Sequence, residues 1–167
     1  LAYAQGNKTL AEQYLNKAKS VNAGAAEVNT NLALLALTNG DVDAAEAYLS
    51  KGSGADSFEE IMGNLNLAKG NYQQAANNLK GVKSNSAALA QILSKDYAAA
   101  KVTLNGIKNA DAYTAYLKAV LGARTNDAAA VNSNLTQAVS KNPALGQRAL
   151  NDLEFAKYSS TLKSIIK

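Results

Sequence analysis

Glu59 and Glu60 are the only two carboxylates adjacent in the chain. Paired carboxylates do acid–base work when they face each other across a substrate. Neighbours on a helix project about 100° apart, so these two do not face each other, and a solvated face is the better account. Asp41-Val42-Asp43 alternates carboxylates as a calcium loop does, but lacks the later glycine and glutamate that complete one. It reads as a helix cap followed by a surface acid. Gly52-Ser53-Gly54 is glycine-rich without the Gly-Lys-Ser/Thr ending of a phosphate loop, and reads as a turn. Histidine and cysteine are absent. Their absence removes the usual nucleophilic triads, imidazole and thiolate metal sites, and disulfides. The expectation is a chain with no catalytic residues, no metal and no cofactor, hence not an enzyme.

Recognition is what remains, and it depends on the elements that carry the side chains. Alanine and leucine are abundant, and Pro143 is the single proline of 167 residues. Both features favour helix throughout. Aromatics make up 6% of the chain, so the helices are expected to pack closely through alanine. The net charge of +4 comes from lysines spread along the sequence rather than clustered, which argues against a nucleic-acid partner. No apolar run approaches a membrane-spanning length, so no direct membrane insertion is expected of this segment. No signal peptide is visible. Leu1 stands inside what reads as an interrupted helix, and a processed chain or a piece of a longer protein is expected.

The stretch Asn31 to Leu49 shows an apolar helical face, a break at Thr38-Asn39-Gly40-Asp41, and a second apolar face. Gly40 suits the left-handed residue that ends one helix, and Asp41 suits the cap of the next. The unit recurs. Gly6-Asn7 leads to Ala11 and Leu15, Gly40-Asp41 to Ala45 and Leu49, and Gly70-Asn71-Tyr72 to Ala75 and Leu79. Lys95-Asp96-Tyr97 leads to Ala100 and Leu104, and Asn126-Asp127 to Val131 and Leu135. The leucine follows its turn by nine residues in all five cases, and the turns lie 34, 30, 25 and 31 residues apart.

The helices expected from this register are 1–5, 8–20, 25–38, 42–50, 57–69, 72–82, 86–93, 98–107, 110–124, 127–140, 144–150 and 160–166. Asp56 with Glu59 reads as a capping box for the fifth. Gly52-Ser53-Gly54 is the most flexible internal segment by composition, and no break has the character of an interdomain linker. The whole of 1–167 reads as one repeat domain of about five hairpins, the first truncated.

A small residue, a Gly-Asp/Asn turn, a frequent Tyr, then Ala and a large apolar residue resemble the helix junction of a tetratricopeptide repeat, whose period is about 34 residues. Ala33, Gly63, Ala88 and Ala119 fall at or near the small residue where that family's two helices touch, and Pro143 falls where the family commonly places proline. The resemblance runs from Leu1 to about Pro143. Asp152-Leu153-Glu154-Phe155 and Leu162 are similar to the closing segment of some bacterial arrays. An open last hairpin needs such a cap, here about 144–167, with Phe155, Leu162, Ile165 and Ile166 covering it.

The resemblance implies an all-α, right-handed superhelical solenoid whose concave wall is lined by first helices. Thr30, Leu34, Leu37, Glu60, Asn64, Leu67, Leu89, Ile92, Tyr113, Tyr116, Val120 and Arg124 are then expected on that wall. It implies non-catalytic binding of a protein or peptide, with Tyr113, Tyr116, Arg124, Asn64 and Glu60 as the contact residues; Tyr and Arg are enriched at binding hot spots. The alternative is a spacer that positions another domain of a larger bacterial cell-envelope protein. The composition is similar to repeat segments of such proteins, which implies an extracytoplasmic location, with a cytoplasmic one still open. The oligomeric state stays open.

Overall fold

The structure, a computed structural model, describes residues 8–166, and every regular element among them is helical. The chain folds as two compact units, one up to Leu79 and one from Lys80 onward. The first contains α1 (Lys8–Val21), α2 (Ala26–Thr38), α3 (Val42–Leu49), α4 (Phe58–Ala68) and α5 (Tyr72–Asn78). The second contains α6 (Asn85–Leu93), α7 (Tyr97–Gly106), α8 (Ala112–Arg124), α9 (Ala128–Lys141), α10 (Ala144–Leu150), a 3₁₀ turn (Leu153–Tyr158) and α11 (Ser159–Ile165). Helices α2 and α3, α4 and α5, α6 and α7, and α8 and α9 pack as hairpins. No helix among the described residues is long and apolar enough to cross a membrane.

All four hairpins close with one backbone device. Gly40, Gly70, Lys95 and Asn126 sit at φ +77, +80, +67 and +57, in the left-handed region. The N–H of the next residue reaches back five positions: Asp41 to the Ala36 carbonyl at 2.9 Å, and Asn71 to Asn66, Asp96 to Gln91 and Asp127 to Gly122 at 2.8 Å. The left-handed residue itself donates three positions back, as Gly40 does to Leu37 at 3.0 Å. This pair of bonds is a Schellman closure, which satisfies carbonyls that a helix end leaves open. In three hairpins the same aspartate then caps the following helix, accepting from the N–H of Ala44, Ala99 or Ala130. One residue thus ends one helix and starts the next, which is why the turn is so short.

The repeat register is a burial register. Five residues after each turn, Ala45, Ala75, Ala100 and Val131 are fully buried; nine after, Leu49, Leu79, Leu104 and Leu135 are buried to within 2%. The small residues Ala33, Gly63, Ala88 and Ala119 are buried on the facing helices. Gly63 shows why size matters there: a Cβ on it would lie 2.5 Å from Leu79 Cγ. The Gly6 turn and the helix expected at 1–5 lie outside the described residues.

Several local expectations need correction. The helix expected to run from Tyr72 to Val82 ends at Asn78, because the chain turns through Gly81 at φ +83. The Asp56–Glu59 capping box does not form: Ser57 takes the N-cap position of α4, without a side-chain bond. Gly52, expected only to turn, is buried, and a Cβ there would meet Thr30 Cγ2 at 2.8 Å. Gly54, at φ +97, supplies the left-handed bend.

The closing segment packs as its composition requires. Phe155 is fully buried and Leu162 nearly so, and both belong to the core of the second unit together with the half-buried Ile165 and Ile166. Pro143, with φ −56, starts α10, a position where its missing N–H costs nothing.

Candidate functional site

A cleft of about 170 Å³ lies in the second unit between α6 and α8, closed by α10 and the 3₁₀ turn. Leu89 and Ile92 come from α6, and Tyr113, Tyr116 and Val120 from α8. The spacing of the α8 residues places them on one face of that helix. Their positioning starts at Asp111, whose carboxylate accepts from the Thr114 N–H at 2.7 Å while the Thr114 hydroxyl accepts from the Asp111 N–H at 3.1 Å. This capping box fixes where α8 starts and hence where its tyrosines stand. Burial raises the Asp111 pKa. Bonds from Thr114, Asn85 and the Tyr113 N–H outweigh that and hold it below the usual carboxylate range.

The chain's own closing segment engages the same face. The Tyr116 hydroxyl donates to Asp152 Oδ2 at 2.6 Å, and Asp152 Oδ1 in turn accepts from the Glu154 N–H at 3.0 Å. Asp152 therefore caps the 3₁₀ turn and anchors it to α8 at once. Arg124 forks onto Glu154: its Nε donates to Oε2 at 2.6 Å and its Nη2 to Oε1. The Tyr116 ring meets Phe155 edge-on, with centroids 5.5 Å apart. The Arg148 guanidinium lies 5.2 Å from the centroids of both Tyr113 and Tyr116, within cation–π range.

These contacts set the electrostatics. Burial, and then the bond to Asp152, push the Tyr116 phenol well above its usual range, so it stays a neutral donor. The bonds to Glu154 raise the Arg124 guanidinium further, against the effect of burial. The phenol and the guanidinium hold their protons at neutral pH, so neither serves as a base; they orient and anchor.

The five expected contact residues have different fates. Tyr116 is 1% exposed and belongs to the core. Arg124 is half-buried and paired with Glu154. Tyr113 is half-buried, stacked on Tyr116 with centroids 6.0 Å apart. In the first unit, Glu60 is exposed at the start of α4, and Asn64 is half-buried one turn on. Thr30, expected on a wall, is fully buried instead, with its hydroxyl bonded to the Ala26 carbonyl at 2.8 Å. A β-branched residue that satisfies its hydroxyl within its own helix can face a core.

Sequence reasoning missed two features. One is the role of Arg148, Asp152 and Glu154 as partners of the α8 face. The signal was present: the acids of the closing segment stand two apart in a lysine-rich part of the chain. The other is an amide relay on α4 and α5. Asn71 Nδ2 donates to Asn66 Oδ1 at 3.3 Å, Asn66 Nδ2 to Asn78 Oδ1 at 2.9 Å, and Asn78 Nδ2 to Glu59 Oε2 at 2.7 Å.

No protein-family model, no curated protein and no solved structure matches the chain.

Proposed function

We propose that the chain is a degenerate tetratricopeptide-like, right-handed solenoid with a C-terminal cap, and that it is a non-catalytic scaffold binding a protein or peptide along its first helices. The observation that carries this reading is the convergence of Leu89, Leu93, Tyr113 and Val120 on one cleft between α6 and α8, over the fully buried Ile92. Apolar clefts with a few fixed polar groups are where ligands bind. Tyr113, at the rim, is the aromatic anchor of the reading, with Leu89 beside it; Glu60 and Asn64 on α4 offer polar contacts in the first unit. Tyr116 and Arg124 act by holding the closing segment in place. The polarisable Tyr113 ring under Arg148 suits an extended chain carrying an apolar side chain.

A second reading, a spacer within a larger bacterial cell-envelope protein, draws on one specific observation. The best anchors of the α8 face, Tyr116 and Arg124, are already engaged by Asp152 and Glu154. Selection from a random peptide library, followed by amide chemical-shift mapping of the selected peptides, decides between the two. The scaffold reading expects shifts at Leu89, Leu93, Tyr113 and Val120, and loss of binding in Tyr113→Ala with helicity retained. Failure to select any peptide, or binding indifferent to Tyr113→Ala, favours the spacer. Fractionation of source cells, with an antibody to this segment, tests the extracytoplasmic location.

A further inference from the structure

The other flank of α8 carries a second cleft, of about 300 Å³, whose residues are all distinct from those above. Its floor is Leu104 of α7, 1% exposed, and Leu121 of α8, 8% exposed. Lys101 of α7 and Lys118 of α8 line it from two different helices, with the Asn105 carboxamide beside them. Most other polar groups around it are already engaged. Asp127 Oδ1 accepts from the Ala130 N–H at 2.9 Å, Asn134 Nδ2 donates to the Ala130 carbonyl at 2.8 Å, and the Thr125 hydroxyl donates to the Leu121 carbonyl at 2.9 Å. Tyr97 is engaged with Arg124. Apart from the second oxygen of Asp127, the groups left to meet a ligand are two ammoniums and one amide.

The charge of the unit points the same way. From Lys80 onward the chain has twelve Lys and Arg against five Asp and Glu, a net +7. All five carboxylates serve the fold. Asp96, Asp111 and Asp127 cap helices, Asp152 holds Tyr116, and Glu154 holds Arg124. Among the described residues of this unit, no lysine lies within ion-pair distance of a carboxylate. A cleft lined by two unpaired lysines against one capping carboxylate, Asp127, over an apolar floor keeps a net positive charge and attracts an anion joined to an apolar group.

From these observations we infer that this cleft binds an acidic peptide segment, with a carboxylate on Lys101 and Lys118 and a neighbouring aliphatic side chain on Leu104 and Leu121. A nucleic acid is the poorer fit, because the floor is aliphatic and the aromatic ring lining the cleft, Tyr97, is engaged with Arg124 rather than laid open for a base to stack on. Phosphate recognition favours forked guanidiniums or a nest of backbone N–H groups, and the cleft's cations are lysines. Because its residues are disjoint from the α6–α8 cleft, the site stands whether or not that cleft binds anything.

The full chain titrated with the capped peptide Glu-Leu-Glu-Leu-Glu, followed by amide chemical shifts, tests this. Shifts confined to Lys101, Asn105, Lys118, Leu121 and Asn134 are expected, with affinity falling as salt is raised. Lys101→Gln combined with Lys118→Gln should weaken binding by about tenfold or more. The matched peptide Glu-Ser-Glu-Ser-Glu should bind more weakly, for want of the apolar contact. Shifts spread evenly over Lys80, Lys95, Lys157 and Lys163 would overturn the proposal, leaving only a diffuse basic surface. So would no shift at millimolar peptide, unchanged affinity in the double variant, or tighter binding of a thymidine oligonucleotide at the same residues. The wild-type shift map decides even if a variant folds poorly.

Discussion

Among the described residues, the first unit holds glycine at the left-handed position of its two hairpin turns, Gly40 and Gly70, whereas the second holds Lys95 and Asn126. The closing bonds are the same in both, within about 0.1 Å for the long-range N–H. Glycine is therefore not what makes the turn. The aspartate or asparagine that follows, and the buried Ala/Val and Leu five and nine residues on, place the helices, and the left-handed residue adapts. A lysine in this region carries about 1–2 kcal/mol of backbone strain. The second unit sustains that strain with a larger continuous core, running from Ala88 to Leu162, where the first unit's principal cluster runs from Ala33 to Leu65. The units differ in charge as well. The first carries eight acids against five lysines, and among the described residues its one ion pair is Lys69–Glu46 at 2.6 Å. The second uses every carboxylate it has to hold helices and the closing segment.

The largest test of this contrast is Phe155→Ala. Removing a fully buried ring that meets Tyr116 should cost about 3–5 kcal/mol, seen as a fall in the urea midpoint. Hydrogen exchange should show protection lost first in α8, α9 and the closing segment. Unchanged exchange there would mean that the closing segment does not support the core. Gly63→Ala probes the first unit in the opposite sense. The added methyl runs into Leu79 and should cost about 1–3 kcal/mol by overpacking; a neutral result would show that the α4–α5 interface can spread.

Smaller effects follow from the caps and turns. Asp111→Ala should destabilise by about 0.5–2 kcal/mol through the lost capping box. Because the folded pKa of Asp111 is depressed, its contribution is complete above the unfolded carboxylate range and is lost as pH falls through the lowered value. Stability measured from pH 6 down to pH 2 should thus fall less in Asp111→Asn than in wild type. Equal slopes would remove Asp111 from the acid response. The smallest test bears on the turn itself. Gly40→Ala meets no neighbouring atom, so its cost, about 1 kcal/mol, is backbone strain alone. Lys95→Gly should gain up to about 1 kcal/mol, less the entropy that glycine adds to the unfolded chain. If both changes shift the melting temperature in the same direction, the two turns are not equivalent.

The sequence by itself determined the helices and their pairing. A left-handed residue, an Asp/Asn, then Ala/Val and Leu at fixed spacing is a local code, because each part acts within one or two helical turns of the next. That is why the four described turns and the buried positions 45, 49, 75, 79, 100, 104, 131 and 135 could be read from order alone. Tertiary structure decided which side of α8 meets the closing segment. Tyr116 and Arg124 share a face in any reading of the spacing, but whether that face meets solvent or Asp152 and Glu154 depends on a fold-back of 36 and 30 residues respectively. Periodicity fixes the direction of a side chain relative to its own helix; what stands opposite is set by how the chain returns. The same holds for Thr30 and Gly52, where close approach of a loop to a helix turns an expected wall residue into core and an expected flexible turn into a packing point. It holds too for the Lys101–Lys118 cleft, since two lysines on different helices form a site only when packing brings their helices side by side.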